Sequence, residues 1–364
     1  FRSALTNRAL MEIAEKQAVE TLLNEHKIFK TNISIDEIRE IRNLENIKCV
    51  APMPGCLVLS TYFIISGFAA ELSIEQPFDY VIMDEASQAI LTMFAASRKI
   101  GKKNLWVGDI NQLSPIVLLN KELVKLCNYK PMIEGLKLLA DNSSSPIYQL
   151  TTAYRFGQRA ADYTGIFYNN SLVAKESKRY NDLPSLSNIL CKDGGPTLIL
   201  TDMPIGDCTP TFAMYIVSFI VTNIFKDAKD KEVAVLTCMK KTVSTLQMTI
   251  AQKVSSRKNL VVDTVARVQG LTTDVTIFVV PDYSYIRTLE PRLFNVATSR
   301  AKEHTIIIAD KYIFDCSTLD IRVRKYLEKL KANKCIYVPD PEHGLGKVTN
   351  ILDYQDSIGR LLFS

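Results

Sequence analysis

Short runs of apolar residues, each closed by a polar or acidic cluster, punctuate the chain. The first three are Cys56-Leu57-Val58-Leu59-Ser60-Thr61, Tyr80-Val81-Ile82-Met83 and Asn104-Leu105-Trp106-Val107-Gly108. The first ends in two hydroxyls, and the other two run at once into acidic residues. Runs that are apolar on both faces suit strands buried inside a parallel sheet. Leu10, Ile13, Ala14, Ala18, Leu22 and Leu23 recur at helical spacing and predict an amphipathic helix over 7–26. The charged stretch from Lys30 to Lys48 reads as helix plus loop, closed by Pro52, Pro54 and Gly55. A second series of strand-like runs covers 197–200, 232–236, 260–263, 275–280 and 305–309, with helical patterns over 212–225 and 241–253. Strand alternating with helix in both halves predicts two successive α/β domains, each built on a parallel sheet. The turn-rich segment Asp141-Asn142-Ser143-Ser144-Ser145-Pro146 divides them, giving domains 1–145 and 146–340 and a tail, 341–364, with a terminal helix expected over 351–362. The sequence has no internal repeat and no low-complexity segment.

Composition narrows this picture only a little. A chain of 364 residues with 47% hydrophobic content can bury two cores, in line with the two-domain reading. The net charge of +5 permits a polyanionic partner without demanding one. Eight cysteines form no Cys-x-x-Cys pair and three histidines lie far apart, so the spacing of a zinc site is missing. Reduced, mostly buried thiols are expected, as in a cytoplasmic protein. The first residues do not read as a signal peptide, and no apolar run is long enough to span a bilayer.

The candidate chemistry sits where the predicted strands end, which is where open parallel sheets gather function. Asp84 and Glu85 follow one strand directly. Adjacent carboxylates there suit Mg²⁺ ligation by Asp84, leaving Glu85 to orient or deprotonate an attacking water. Either carboxylate alone would also suit an ordinary helix start. Gln112 follows the turn Gly108-Asp109, where a neutral amide can bond a γ-phosphate oxygen or the attacking water. Arg155 and Arg300 are candidate phosphate clamps, because a guanidinium stabilises the charge that develops on a transferred phosphoryl group. Both fall beyond the dividing segment, so they would reach a nucleotide on the first domain only across an interdomain cleft. Thr6, Asn7, Ser60, Thr61, Thr237 and Thr264 sit at strand ends or helix starts, where hydroxyls and amides can bond strand phosphates without reading bases. Tyr62 and Phe63 could stack on bases. Singly, these are also what helix caps and core aromatics look like. Nowhere in the 364 residues is there a Gly-x-x-x-x-Gly-Lys-Ser/Thr phosphate cradle.

In order, Asp84-Glu85-Ala86-Ser87-Gln88, Gly108-Asp109-Ile110-Asn111-Gln112-Leu113, Tyr154-Arg155-Phe156, Val268-Gln269-Gly270-Leu271-Thr272 and Asn295-Val296-Ala297-Thr298-Ser299-Arg300-Ala301-Lys302 resemble motifs II to VI of the superfamily I helicases. The nearest branch is that of the nonsense-mediated-decay RNA helicase and its DNA-acting relatives. Thr6-Asn7-Arg8-Ala9 is similar to motif Ia, Leu59-Ser60-Thr61 to the next strand contact, and Phe167-Tyr168 through Leu172 to a run that follows motif IV. The resemblance covers roughly 5–309. It implies an α/β fold of two RecA-like parallel-sheet domains, a P-loop NTPase helicase core whose first domain is incomplete at its N-terminus. It implies ATP and Mg²⁺ as cofactors, single-stranded DNA or RNA as partner, and an ATPase that translocates on single strands and unwinds duplexes. By the same resemblance Asp84, Gln112, Arg155, Gly270, Thr272 and Arg300 would contact nucleotide, with Asp84 as the Mg²⁺ ligand. Asp84, Glu85, Gln112, Arg155 and Arg300 would carry catalysis, and Thr6, Ser60 and Thr264 are favoured among the strand contacts. Thr272 stands where the family often has an acidic residue for the ribose, and Gly157-Gln158 replaces the usual His-Pro after motif IV. The missing cradle implies a fragment inactive without its P-loop, which an upstream segment or a partner chain would supply. The alternative is a catalytically silent nucleic-acid-binding or interaction module that retains the helicase fold.

Overall fold

The computed structural model describes residues 2–340 apart from Leu5, Pro52, Ile74, Ser143, Ser256, Gln269 and Tyr283, together with Ile358 and Gly359. Two compact units divide the chain between Tyr148 and Gln149. The expected terminal helix over 351–362 lies outside the described residues except at Ile358 and Gly359.

The first unit is built on a six-stranded sheet of β1 (Arg2–Ala4), β2 (Ile28–Thr31), β3 (Glu45–Ile47), β4 (Leu57–Thr61), β5 (Phe78–Met83) and β6 (Gly101–Trp106). Their order is β3-β2-β4-β1-β5-β6, and every pair is parallel. Under one face Val81, Met83 and Trp106 pack against the helices Tyr62–Glu71 and Leu91–Ile100; Trp106 donates to Ser97 Oγ at 3.0 Å. The opposite face is covered beneath Leu59 and Ile28 by the helix Asn7–Ala14. Farther along that face, on β5 and the edge strand β6, Tyr80 and Leu105 are more than half exposed.

Three elements depart from the sequence expectation. The helix expected over 7–26 breaks at Lys16, which takes an extended backbone, and resumes at Glu20–Asn24. The break lets Val19, Leu22 and Leu23 close on the same core as Leu10 and Ile13. The stretch from Lys30 to Lys48, read as helix plus loop, also contains β3, and Lys30 itself lies in β2. Lysine inside a strand hides the alternation. Here Lys30 is buried and its Nζ meets Glu37 Oε2 at 3.1 Å, while Glu37 also closes a capping box with Ser34 at the helix Ile35–Glu40. β1 and β3, three residues each, are too short to announce themselves by periodicity.

The second unit opens with a small parallel pair, β7 (Thr152–Ala153) and β8 (Val173–Ala174). A second six-stranded sheet follows, of β9 (Gly195–Thr201), β10 (Val233–Thr237), β11 (Leu260–Thr264), β12 (Thr273–Val279), β13 (Ala301–Asp310) and β14 (Cys335–Val338). Its order is β11-β10-β12-β13-β9-β14, again parallel throughout. One face buries Val235, Ile277, Ile306 and Ile308 against the apolar helix Thr211–Asp227. The other packs Phe278 against Phe294, which also meets Phe167 and Tyr326. Burial on both faces explains why these strands read as continuous apolar runs. Two all-parallel sheets flanked by helices make both units α/β domains, in agreement with the expected pair of parallel-sheet domains. Among the described residues no helix is long and apolar enough to cross a membrane.

At the carboxyl end of the second sheet stand three acids: Asp202 just after β9, Asp282 beyond β12 and Asp310 as the last residue of β13. All are buried. Asp310 Oδ1 accepts from Tyr312 N–H at 3.1 Å, and Asp282 Oδ2 from Gly206 N–H at 2.7 Å. Among the described residues, Asp310 Oδ2 and Asp282 Oδ1 find no partner. Burial first, then the neighbouring Asp282 and Asp202 carboxylates, push the Asp310 carboxyl up to about 6. A folded-state value above the ordinary 3.8 means that the native state holds the proton more tightly than the unfolded chain. The resulting destabilisation is absent below the unfolded value, grows as pH rises from the unfolded value to the folded one, and is complete above the folded value. Asp310→Asn keeps the capping oxygen and removes the charge. Thermal melts should therefore show a higher Tm than wild type at pH 7.5, with the difference vanishing near pH 4.

Candidate functional site

In the first unit the motif residues form one connected knot at the end of β5. Asp84 continues the sheet pairing, its N–H donating to Ser3 O at 2.8 Å. Its Oδ1 accepts from Glu85 N–H at 3.0 Å, its Oδ2 from Arg2 Nη2 at 2.8 Å, and its carbonyl from the Tyr62 hydroxyl. Every hydrogen-bonding atom of Asp84 is thus held. Tyr62 is buried, and its burial, followed by the nearby Asp84 and Glu85 carboxylates, pushes the phenol up, so it remains a donor. That role corrects the base-stacking expectation for Tyr62, whose ring is inside the core; Phe63 beside it stays 66% exposed. Glu85 takes a left-handed backbone (φ 54°, ψ 38°) as the chain turns into the short helix Ala86–Gln88. Non-glycine residues adopt that conformation rarely.

The next motif is locked onto this turn. Ala86 N–H donates to Val107 O at 2.8 Å, and Val107 N–H to Met83 O at 2.8 Å. A Cβ on Gly108 would stand 2.6 Å from Ser87 N, 2.8 Å from Leu136 Cδ2 and 3.0 Å from Ala86 N. Two of those contacts are backbone, so any side chain there must pry the acidic turn from the Gly108 turn. Gly108→Val should cost about 1–3 kcal/mol in urea denaturation, with Gly108→Ala lower in the same range. Gln112 Nε2 donates to Asp109 Oδ2 at 3.0 Å, and Asn111 N–H to Asp109 Oδ1 at 2.9 Å. The amide is therefore poised on its own turn rather than on Asp84.

Around Asp84 the residues fit a particular kind of metal site. Among the described residues no group of three or more His, Cys, Asp or Glu side chains could hold an ion. One carboxylate, with the buried Ser87 Oγ nearby in sequence and without a partner among the described residues, matches Mg²⁺ bound through a single protein ligand plus phosphates and water. It does not match a dedicated cage.

In the second unit three distant segments converge. Arg155, half-buried after β7, donates from Nη1 to Ser299 O at 2.7 Å. Arg300 is 2% exposed; its Nε donates to Val296 O at 3.0 Å and its Nη1 to Leu271 O at 3.4 Å. Thr273 N–H returns a bond to Arg300 O at 3.3 Å. Gly270 sits on the turn before Leu271 with φ +88° and open space where a side chain would go, and Thr272 is half-buried. Arg155, Gly270, Thr272 and Arg300 are thus neighbours within this unit, separated by up to 145 positions in sequence. Gln269, in the same run, lies outside the described residues. Asn295 Nδ2 donates to the Tyr168 hydroxyl at 2.8 Å, tying the Phe167-Tyr168 run to the helix Pro291–Thr298.

The strand-contact candidates divide by exposure. Thr6 and Asn7 are exposed at the start of the helix Asn7–Ala14, and Thr6 Oγ1 accepts from Ala9 N–H at 3.3 Å as its cap. Thr61 is half-buried at the end of β4, in register with Ala4 of β1. Ser60 is buried, its hydroxyl 2.8 Å from Thr31 Oγ1. Thr237 is buried at the end of β10, beside the half-buried Thr264 in register on β11, and its Oγ1 has no partner among the described residues. Contact with a strand at Ser60 or Thr237 would have to use main-chain groups. Arg2 escaped the sequence reading, because nothing in the spacing of a short strand marks a residue that faces a carboxylate 82 positions away.

Two protein-family signatures match the chain, each described as an AAA domain, over residues 56–120 and 133–312. No curated protein matches it in sequence. Among solved structures it is similar to an arterivirus nonstructural protein 10 helicase, at 12% identity and TM-score 0.44, covering 84% of this chain and 52% of that one. It is also similar to the PRRSV helicase, at 14% identity and TM-score 0.40, covering 98% of this chain and 66% of that one. A third is the DUF1998 helicase MrfA bound to DNA and AMPPNP, at 12% identity and TM-score 0.40, covering 98% and 48%. The chain spans about half the length of the first of these.

Proposed function

We propose that this chain, which carries the AAA domains typical of superfamily I helicases of the nonsense-mediated-decay type, is part of a nucleic-acid-dependent ATPase that moves along single strands and separates duplexes. The observation that supports this reading most is the convergence of Arg155, Leu271 and Arg300 through Ser299 and Val296. Guanidinium bonds to main-chain carbonyls gather three segments that lie far apart in sequence, an arrangement that suits a phosphate-handling site.

In this reading Asp84 holds Mg²⁺, which when bound neutralises charge on the triphosphate oxygens. Glu85, half-buried on its left-handed turn, takes a proton from the attacking water. Gln112 leaves Asp109 to bond the water or the terminal phosphate. Arg155 and Arg300 are the guanidinium pair for the developing charge, with Gly270 and Thr272 lining the nucleotide's approach. The exposed Thr6 and Asn7, then Thr61 and Thr264, bond strand phosphates, with main-chain groups near Ser60 and Thr237 extending the track. Without a Gly-x-x-x-x-Gly-Lys-Ser/Thr nest among its 364 residues, the chain alone lacks the backbone anion site and lysine that grip a triphosphate. Hydrolysis would then need a cradle supplied by an upstream segment or a partner chain. The same absence favours the second reading, a catalytically silent nucleic-acid-binding or interaction module that retains the helicase fold.

Fluorescence anisotropy with labelled single-stranded DNA and RNA tests strand binding directly. Binding that weakens steeply with salt, and weakens further in Thr6→Ala/Asn7→Ala, is expected. No binding to either strand at low salt would remove the first reading and leave only the interaction module of the second.

A further inference from the structure

We propose that Arg2 is a built-in counter-ion for Asp84, competing with the divalent ion for that carboxylate and so setting the ion concentration at which the site fills. The inference rests on the reading of Asp84 as a metal ligand.

Arg2 belongs to β1, between β4 and β5, with Arg2 in register with Leu59 on one side and Ile82 on the other. Register partners in a parallel sheet share a face, and so do residues two apart on one strand. Arg2, Ile82 and Asp84 therefore line the same side of the sheet, the side on which Tyr80 and Leu105 are exposed. Arg2 Nη2 stands 2.8 Å from Asp84 Oδ2, with both side chains about 30% exposed (31% and 29%). Asp84 Oδ1 is meanwhile engaged by the Glu85 N–H. A cation approaching the carboxylate finds Oδ1 already accepting one hydrogen bond and a fixed positive charge beside Oδ2. Two cations sharing one carboxylate repel, so binding the ion directly means displacing the guanidinium.

Displacement is feasible because the guanidinium is only partly satisfied. Arg2 Nε is buried and has no partner among the described residues. The pair is partly exposed, and such pairs are weak enough to be outcompeted. A bare divalent ion would thus bind poorly, whereas an ion arriving with phosphates brings extra ligands and an anion for the released arginine. Arg2 would act as a positioning residue that favours the chelated ion over the free one.

Mn²⁺ replaces Mg²⁺ as the probe, titrated into the full chain without nucleotide and followed by the electron paramagnetic resonance signal of the free ion. Arg2→Met should tighten Mn²⁺ binding about fivefold, the scale of a partly exposed ion pair, and Asp84→Asn in that background should abolish the gain. Arg2→Lys, which keeps the charge, should stay close to wild type, and thermal melts identify any variant that fails to fold. Unchanged or weaker binding in folded Arg2→Met, with Asp84-dependent binding present in wild type, overturns the competition while leaving Asp84 as a ligand. Mn²⁺ binding indifferent to Asp84→Asn in both backgrounds overturns the metal reading and the competition with it.

Discussion

Phe294→Ala should lower the stability of the second unit by about 3–5 kcal/mol, the largest loss expected of any single side chain on its aromatic face. Phe294 is fully buried and stands edge-on to Phe278 at 5.9 Å and to Tyr326 at 5.1 Å, with Phe167 at 6.2 Å. Truncation empties the centre of a cluster drawn from a strand, two helices and the Phe167-Tyr168 run, so no one element can move in to fill it. The consequence reaches the site. Phe294 lies on the helix Pro291–Thr298, whose Val296 carbonyl anchors Arg300 and whose end presents Ser299 to Arg155. Urea denaturation measures the loss. Phe294→Leu, which restores most of the volume, should recover more than half of it; equal losses for Ala and Leu would mean that the ring contacts, not the volume, hold the helix.

Glu85→Gln should lower strand-stimulated ATP turnover by about 10²–10⁴-fold, the usual contribution of a positioned general base. The comparison requires a chain supplied with a phosphate cradle, joined upstream or added in trans. Glutamine matches glutamate in shape, and the turn is fixed by the Asp84 and Ala86 backbone bonds and not by the Glu85 carboxylate alone. Strand binding and the Tm should therefore stay unchanged while turnover falls. A turnover loss under tenfold would assign the proton to another group.

Much of this fold was readable because its strands are buried on two faces. Val233–Thr237 and Thr273–Val279 announce themselves as apolar runs since a parallel sheet covered by helices leaves no polar face to alternate with. β2 was hidden for the opposite reason: Lys30 breaks the run, and its burial is offset by the ion pair with Glu37 and a bond to the Thr31 carbonyl. The motif order located the turns at Asp84, Gly108, Leu271 and Arg300 from sequence alone, because each is a short segment with its own composition. What sequence could not give is which partner each side chain takes. Arg2 reaching Asp84, Tyr62 turning inward to the Asp84 carbonyl, and Ser60 spending its hydroxyl on Thr31 all depend on strand register across 22 to 82 positions. Register is set by the packing of whole strands, which local spacing does not encode.

The most direct test is ATP hydrolysis by these 364 residues with and without single-stranded DNA or RNA, using Glu85→Gln as the control. The proposed function requires salt-sensitive strand binding with no Glu85-dependent turnover above background, and the appearance of strand-stimulated turnover once a cradle-bearing segment is supplied. Stimulated turnover by the chain alone, abolished by Glu85→Gln, would show that another part of the molecule grips the triphosphate and would contradict the need for a supplied cradle.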